Sequence, residues 1–391
     1  MKNMKPIHYI CLILILAATA MGMMLIMGKV TLPAPAEKVQ MQEAAAATEA
    51  TAAPQTQTPT EAPTEAPTEP PTEPPTEAPT EPQPEHFTLT FVGDCTLGCN
   101  AKMAARKSAF PQVVGTDYDY PMKNVRSIFV EDDYSFANLE GVLGDKGSAR
   151  SKKFVFRGSA EYTEIFTRNG VEGVTLANNH ALDYGQEALD ETKRILGEAG
   201  IDYVDHLQTM MVTTDSGLTI GVFSADFNRG TPKDEQIIGA IQKLKEDGAE
   251  FIVCAFHWGR ENTFQATKGQ KAAGQLAIDA GANFVWGHHP HVLQPIEVYN
   301  GGVICYSLGN FVFGGNSDPK DHDTAIVQQE VIRQLDGSIT MGDLTVIPCT
   351  ITSEPGINNF QPTLFAEGTK EYDRVLTKLG GTYKGKSLPI G

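Results

Sequence analysis

The chain has 391 residues, 41% hydrophobic and 20% charged, with a formal net charge of −17. That length and apolar share support one large or two ordinary domains with real cores, while 48 acidic against 31 basic residues argue against a nucleic-acid-binding surface. Of six cysteines, Cys11 sits in an apolar run; the other five, odd in number and irregularly spaced, exclude a disulfide framework.

The charge is unevenly spread. Residues 1–28 carry only Lys2 and Lys5, residues 29–86 carry ten glutamates against Lys29 and Lys38, and the remainder holds −11. Tyr9 to Gly28 is twenty residues without a formal charge. As a helix it spans about 30 Å, the thickness of a bilayer core. A cleavable signal peptide has a shorter apolar stretch, roughly 7–15 residues, although Ala34-Pro35-Ala36 offers a cleavage site. The expectation is a single-pass membrane anchor over 1–28, with a signal peptide as the alternative. The two lysines ahead of it place the N-terminus inside and the globular body outside the cell.

Residues 29–86 are low in complexity and hold 13 of the 24 prolines. From Thr60 the tetrad Thr-Glu-(Ala/Pro)-Pro recurs, ending in TEPQ. Nothing here can build a core, and proline with like charge favours an extended polyproline II chain of about 3.1 Å per residue. A stalk through a cell wall is expected.

From Phe87 the texture is that of a layered α/β domain over 87–350, with 351–391 as a C-terminal extension packed on it. FTLTFV (87–92) reads as a strand. YSFANL and GVTLA follow, then a helix from about Tyr184 to Ala199 with Gly200 as its stop. A helix near 234–247 precedes the strand FIVCAF (251–256), and another near 266–280 precedes NFVW (283–286). VICYSL (303–308) is a further strand. AIVQQEVI and ITMGDLTVI flank Asp336-Gly337 as an antiparallel hairpin.

Five apolar runs stop at residues able to bind a metal or move a proton. FTLTFVG ends in Asp94, YSFANL in Glu140, GVTLA in Asn178-Asn179-His180, FIVCAF in His257 and NFVWG in His288-His289-Pro290-His291. Sites in α/β sheets form at strand carboxyl ends, where a rigid sheet gathers side chains distant in sequence. Imidazole, carboxylate and amide oxygen together suit Mn, Fe or Zn. A lone strand-end Asp reads as a turn former, and His206 and His322 read as solvated or hydrogen-bonded. Cys95 and Cys99 flank Asp94 without further paired cysteines, and Cys254 and Cys305 read as buried small hydrophobes.

These stretches resemble the CapA family of bacterial capsule or poly-γ-glutamate synthesis proteins, whose domain is related to calcineurin-like metallophosphatases. The matching segments are FVGDCTLG (91–98), FANLEG (136–141), FRG (156–158), TLANNHALDYG (175–185), FHWG (256–259), WGHHPHVLQP (286–295) and YSLGNFVFG (306–314). The resemblance implies a metallophosphatase-like α-β-β-α sandwich with a C-terminal antiparallel portion, and one or two divalent ions. It implies Asp94, Glu140, Asn179, His257, His289 and His291 as metal ligands and His180 as proton donor to a leaving oxygen. Two departures stand out. Thr96 replaces the histidine of the usual Asp-x-His block, and Glu140 replaces an Asp. Arg157 suits a phosphate or carboxylate, or a surface ion pair; Asn310 approaches the site or forms a turn. Asp183 orients His180 or, with Gln186, caps the following helix, and the cap is the favoured reading. The partners implied are the membrane, an anionic envelope polymer or phosphoester, and capsule synthesis or export proteins, with either hydrolysis or an accessory role in polymer export.

The topology is testable. Protease added to intact, wall-stripped cells is expected to release a soluble body of roughly 300 residues, because a coreless linker is where cleavage concentrates. Protection until lysis would reverse the orientation.

Overall fold

Alternation along the first strand sets the layering: Phe87, Leu89 and Phe91 face one buried layer, Val92 another. The computed structural model describes residues 82–385. In chain order the strands are β1 (Glu85–Thr96), β2 (Cys99–Asn100), β3 (Tyr134–Leu139), β4 (Val142–Leu143), β5 (Phe156–Gly158), β6 (Gly173–Thr175), β7 (Asp202–Val204), β8 (Gln208–Thr213) and β9 (Thr219–Asp226). They continue as β10 (Phe251–His257), β11 (Phe284–His288), β12 (Leu293–Tyr299), β13 (Gly302–Leu308), β14 (Asn310–Phe313), β15 (Asp323–Arg333), β16 (Ile339–Thr350) and β17 (Thr363–Leu364). The longer helices are α1 (Gln186–Glu198), α2 (Asp234–Glu246), α3 (Lys268–Ala280) and α4 (Lys370–Leu379).

One sheet has the order β17-β16-β15-β1-β3-β6-β7, with β14 pairing parallel to β1. Its β1, β3, β6 and β7 are parallel, and β15 to β17 extend it antiparallel. The second has the order β12-β13-β11-β10-β9-β8, with a parallel centre and antiparallel edges. A small third sheet, β2-β5-β4, lies apart from both.

The two large sheets share an apolar layer of Phe91, Phe136, Val253, Phe284 and Trp286, with Phe91 stacked on Phe284 at 4.3 Å between centroids. On the far side of the first sheet, Val92, Ala137 and Val174 pack against Leu189, Ile195 and Leu196 of α1. On the far side of the second, Phe223, Cys254 and Ile304 pack against Ile237, Ile241 and Leu244 of α2 and Ala277 of α3. The layers therefore run helix, sheet, sheet, helix: an α-β-β-α sandwich whose final hairpin adds an antiparallel portion.

The helices expected near 184–199, 234–247 and 266–280 are α1, α2 and α3. One start differs from the sequence reading. Asp183 does not cap α1; the N-cap is Gly185, with φ of 87° and no side-chain cap. Asp183 is held elsewhere by stronger partners, described below. All five cysteines among the described residues are buried and free. No helix among those residues is long and apolar enough to cross a membrane. The expected anchor, and all of the expected stalk before residue 82, lie outside them.

Helix α4 docks Val375 and Leu379 against Leu293 and Ala325, and an ion cluster seals the contact. Lys378 is 2% exposed and donates to Asp321 and Asp323 at 2.7 Å, while Arg374 grips Asp323 with two nitrogens, also at 2.7 Å. Lys378→Ala would leave buried carboxylates short of a cation, a loss of about 3–5 kcal/mol of unfolding free energy. Urea unfolding reads this directly, and a loss below about 1 kcal/mol would show that the cluster does not anchor the helix.

Candidate functional site

The site assembles where parallel strands of both large sheets end. Asp94 lies in β1 in register with Asn138, one residue before the end of β3, and Glu140 follows that strand. Asn178, Asn179 and His180 follow β6, His257 closes β10, and His288 closes β11 opposite it. Gly93 makes the approach possible: a Cβ there would stand 2.0 Å from the Gly309 carbonyl oxygen, which instead accepts from Asp94 N at 2.9 Å.

Two asparagines form the floor. Asn138 Nδ2 donates to Asp94 Oδ1 at 2.8 Å, and Asn178 Nδ2 donates to Asn138 Oδ1 at 3.1 Å and to the Leu139 carbonyl at 2.8 Å. Asn178 Oδ1 accepts from His180 N at 3.2 Å. Amide side chains both donate and accept, so the chain fixes the β1, β3 and β6 ends relative to one another.

Asp183 orients His180, the reading opposite to the favoured cap. Its Oδ2 lies 2.6 Å from His180 Nδ1 and accepts from Phe156 N at 2.7 Å, and its Oδ1 accepts from Lys152 Nζ at 2.6 Å. The imidazole also stacks on Phe156 at 4.2 Å. With Nδ1 engaged, Nε2 faces Glu140 Oε1 at 3.9 Å. Burial lowers the His180 pKa, and Asp183 only partly offsets it.

Glu140 is the centre of the arrangement. It is fully buried, and neither carboxylate oxygen has a hydrogen-bond partner. His180, His257 and His291 each present Nε2 to Oε1 at 3.9 Å. His257 Nε2 also lies 2.8 Å from Asn179 Oδ1. His289 and His291 adopt positive φ, 94° and 56°, a backbone strain of about 1–3 kcal/mol each that brings both rings inward around Pro290. His291 Nδ1 lies 3.0 Å from Asp94 Oδ2 and 2.9 Å from Asn310 Oδ1. Asn310 therefore sits in β14 beside Asp94 and holds His291, rather than forming a turn.

Burial and mutual repulsion keep most of the imidazoles neutral. Burial pushes His288 down to about 4, burial with His291 nearby pushes His289 down to about 3, and His257 falls well below its ordinary value for similar reasons. His291 is the exception. Burial opposes its charge, but Glu140 and Asp94 outweigh that and raise it to about 10. Burial, and the charge of Asp94, drive Glu140 well above the usual carboxylate range.

Two groups offer ligand atoms all within 4.8 Å of one another: Asp94, Glu140 and His291, and Glu261, His289 and His291. Glu261 escaped the sequence reading; its only signal is its position four residues beyond His257. Thr96 Oγ1 and His289 Nδ1 are also buried without partners. A cavity of about 230 Å³ opens over the cluster, lined by Phe156, His180, Glu261, His291, Asn310 and Phe313 among others. Arg157 does not line it. Its guanidinium donates to the Asp145 carbonyl at 3.0 Å and to the Lys146 carbonyl, and lies over the Tyr184 ring at 3.7 Å. Among the described residues it forms no surface ion pair.

Residues 88–315 match the family model of the bacterial capsule synthesis protein PGA_cap. The capsule biosynthesis protein CapA of Bacillus anthracis is 30% identical over 270 residues, 62% of this chain and 64% of that protein, so the match spans just under two thirds of the relative. The PGA biosynthesis protein CapA of Bacillus subtilis (strain 168) is 29% identical over 304 residues, 72% of this chain and 77% of that one. Among solved structures, the NAD nucleotidase of Haemophilus influenzae superposes with a TM-score of 0.38 at 10% identity, covering 76% of this chain and 57% of that one. With more than half of its length matched to the family model, and with the matched segment carrying the strand-end cluster, the chain belongs to the PGA_cap family of bacterial capsule synthesis proteins.

Proposed function

We propose that the chain is a cell-envelope protein of capsule or poly-γ-glutamate production whose strand-end cluster is a divalent-metal site of phosphoesterase type. The observation that carries this is Glu140: a buried carboxylate with no donor to either oxygen and three imidazole nitrogens equally far from one of them. Buried carboxylates are otherwise paired or hydrogen-bonded. Asp94, Glu140, Asn179, His257, His289 and His291 would hold one or two ions, with Mn, Fe or Zn suited to this mixture of donors. Such ions stabilise charge on a phosphoryl oxygen and make water a nucleophile at neutral pH. The protein's own groups do the rest. Asp183 steadies His180 with Nε2 free to deliver a proton to a leaving oxygen, and Phe156 holds the ring plane.

A second reading, a non-catalytic role in polymer export or anchoring, draws support from Thr96. A threonine where related sites carry histidine is a weaker donor, and one ion position would be poorly held. Metal analysis beside a panel of aryl phosphates, phosphodiesters and γ-glutamyl peptides separates the two. Bound metal without turnover favours the accessory role.

The roles of the histidines are separable. His289→Ala is expected to lower metal content and the melting temperature together, since a ligand that binds only the folded state stabilises it. His180→Ala is expected to keep its metal and lose about 10²–10⁴-fold in turnover, less for substrates whose leaving group needs no proton. If His180→Ala empties the site while His289→Ala does not, the assignments are reversed.

The pH dependence of metal uptake follows from His291. A ligand nitrogen must be free of its proton, and burial between Glu140 and Asp94 leaves His291 protonated up to about 10. Below that pH each ion taken up displaces this proton, so affinity is expected to rise with pH by at least about tenfold per unit between roughly pH 6 and 9. Chelator competition measures it. A flat profile would show that His291 is not a ligand.

A further inference from the structure

The net charge of −11 beyond residue 86 conceals a strongly basic strip. Between Gly98 and Ser108 the chain carries Lys102, Arg106 and Lys107 and no acidic residue. Between Asp145 and Gly158 it carries Lys146, Arg150, Lys152, Lys153 and Arg157 against Asp145 alone. The small third sheet joins these segments. β2 pairs with β5, setting Cys99 opposite Arg157 and Asn100 opposite Phe156, and Asn100 Nδ2 donates to the Lys153 carbonyl at 3.2 Å. Lys152 is neutralised by Asp183, and Arg157 is turned onto backbone carbonyls. Lys102, Arg106, Lys107, Lys146 and Arg150 are exposed, with no carboxylate partner among the described residues.

The strip borders the cavity. Phe154 and Phe156, which follow Lys153, line it together with His180, and Arg106 lines a second, smaller cavity that shares Gly315 with it. Arg150 N donates to the Asp183 carbonyl at 2.8 Å, tying the strip to the segment that orients His180. Elsewhere the cavity lining mixes Glu261, Asp318 and Asp321 with Lys320 and His291, so the uninterrupted run of cations is on the strip. The geometry leads us to infer that residues 102–107 and 146–153 form a docking strip for a linear polycarboxylate, which crosses Phe154 to reach the cavity. Separately exposed cations suit single charges spaced along a flexible chain, whereas a phosphate dianion calls for converging guanidinium groups. The inference rests on the polymer-handling reading above, but it stands on surface charge rather than on metal.

The test uses the full chain in non-ionic detergent with fluorescein-labelled poly-γ-glutamate, read by anisotropy. Wild type is expected to bind, and to lose about tenfold in affinity between 50 and 200 mM salt because the cations are solvent-exposed. R106E/R150E is expected to bind at least about tenfold more weakly at low salt, with a flatter salt dependence. R150Q should show a smaller loss in the same direction. K243E, a single charge reversal near the far end of α2, is expected to stay within about twofold of wild type. No binding by wild type, or equal binding by R106E/R150E, would overturn the strip; so would polyphosphate of matched length competing better than poly-γ-glutamate. Metal content of the same preparations keeps the two ideas apart. Metal without polymer binding removes the strip alone, whereas charge-sensitive binding by metal-free protein keeps the strip and removes the metal reading.

Discussion

The structure depends on one costly act of burial. Glu140 is carried out of water just past the end of β3, and nothing among the described residues donates a hydrogen bond to its carboxylate. An ionised carboxylate in that position must gain a cation or a proton, and its pKa rises accordingly. The surrounding side chains are arranged for the first outcome. Three Nε2 atoms stand at equal distance from one oxygen, too far for hydrogen bonds and about right for sharing something between them. His180 and His257, whose pKa values burial lowers, are good metal ligands when neutral, while His291 alone is held charged by Glu140 and Asp94.

That cluster is affordable because the scaffold around it is over-determined. Parallel strands of two sheets end at one place, their inner faces locked by stacked aromatic rings. The asparagine floor and the Gly93–Gly309 approach tie three strand ends and the β14 crossing together. Against this background two histidines in left-handed backbone conformations are tolerable. Two of the six non-glycine residues with positive φ among those described fall in this one strand-end loop, and both are candidate ligands.

The parts that sequence made legible share a physical reason. Asp94, Glu140, His257 and the His-x-His stand where apolar runs stop, and a stop at a titratable residue is visible without any structure. The sandwich was legible for the same reason, since its helices and buried strands have distinct periods. Asp183 was misread because its spacing to Gln186 imitates a capping box, and only the fold shows Phe156 N, Lys152 and His180 competing for its oxygens. Glu261 was missed because it lies in a loop, where no period marks a residue. Arg157 is engaged by two carbonyls and the Tyr184 ring, and contacts of that kind leave no trace in spacing.

Net charge averages over the whole body. A total of −11 over the body suggests a surface that repels polyanions, yet fields act over about a Debye length, roughly 8–10 Å, not over a whole domain. Beside the cavity, two basic segments are joined by one short sheet, whatever the total over the domain. The same small sheet carries Phe156, which stacks on His180 and whose amide binds Asp183. The basic segments and the groups that orient His180 thus share one structural element: Arg150 N donates to the Asp183 carbonyl, Phe156 N donates to the Asp183 carboxylate, and that carboxylate holds His180.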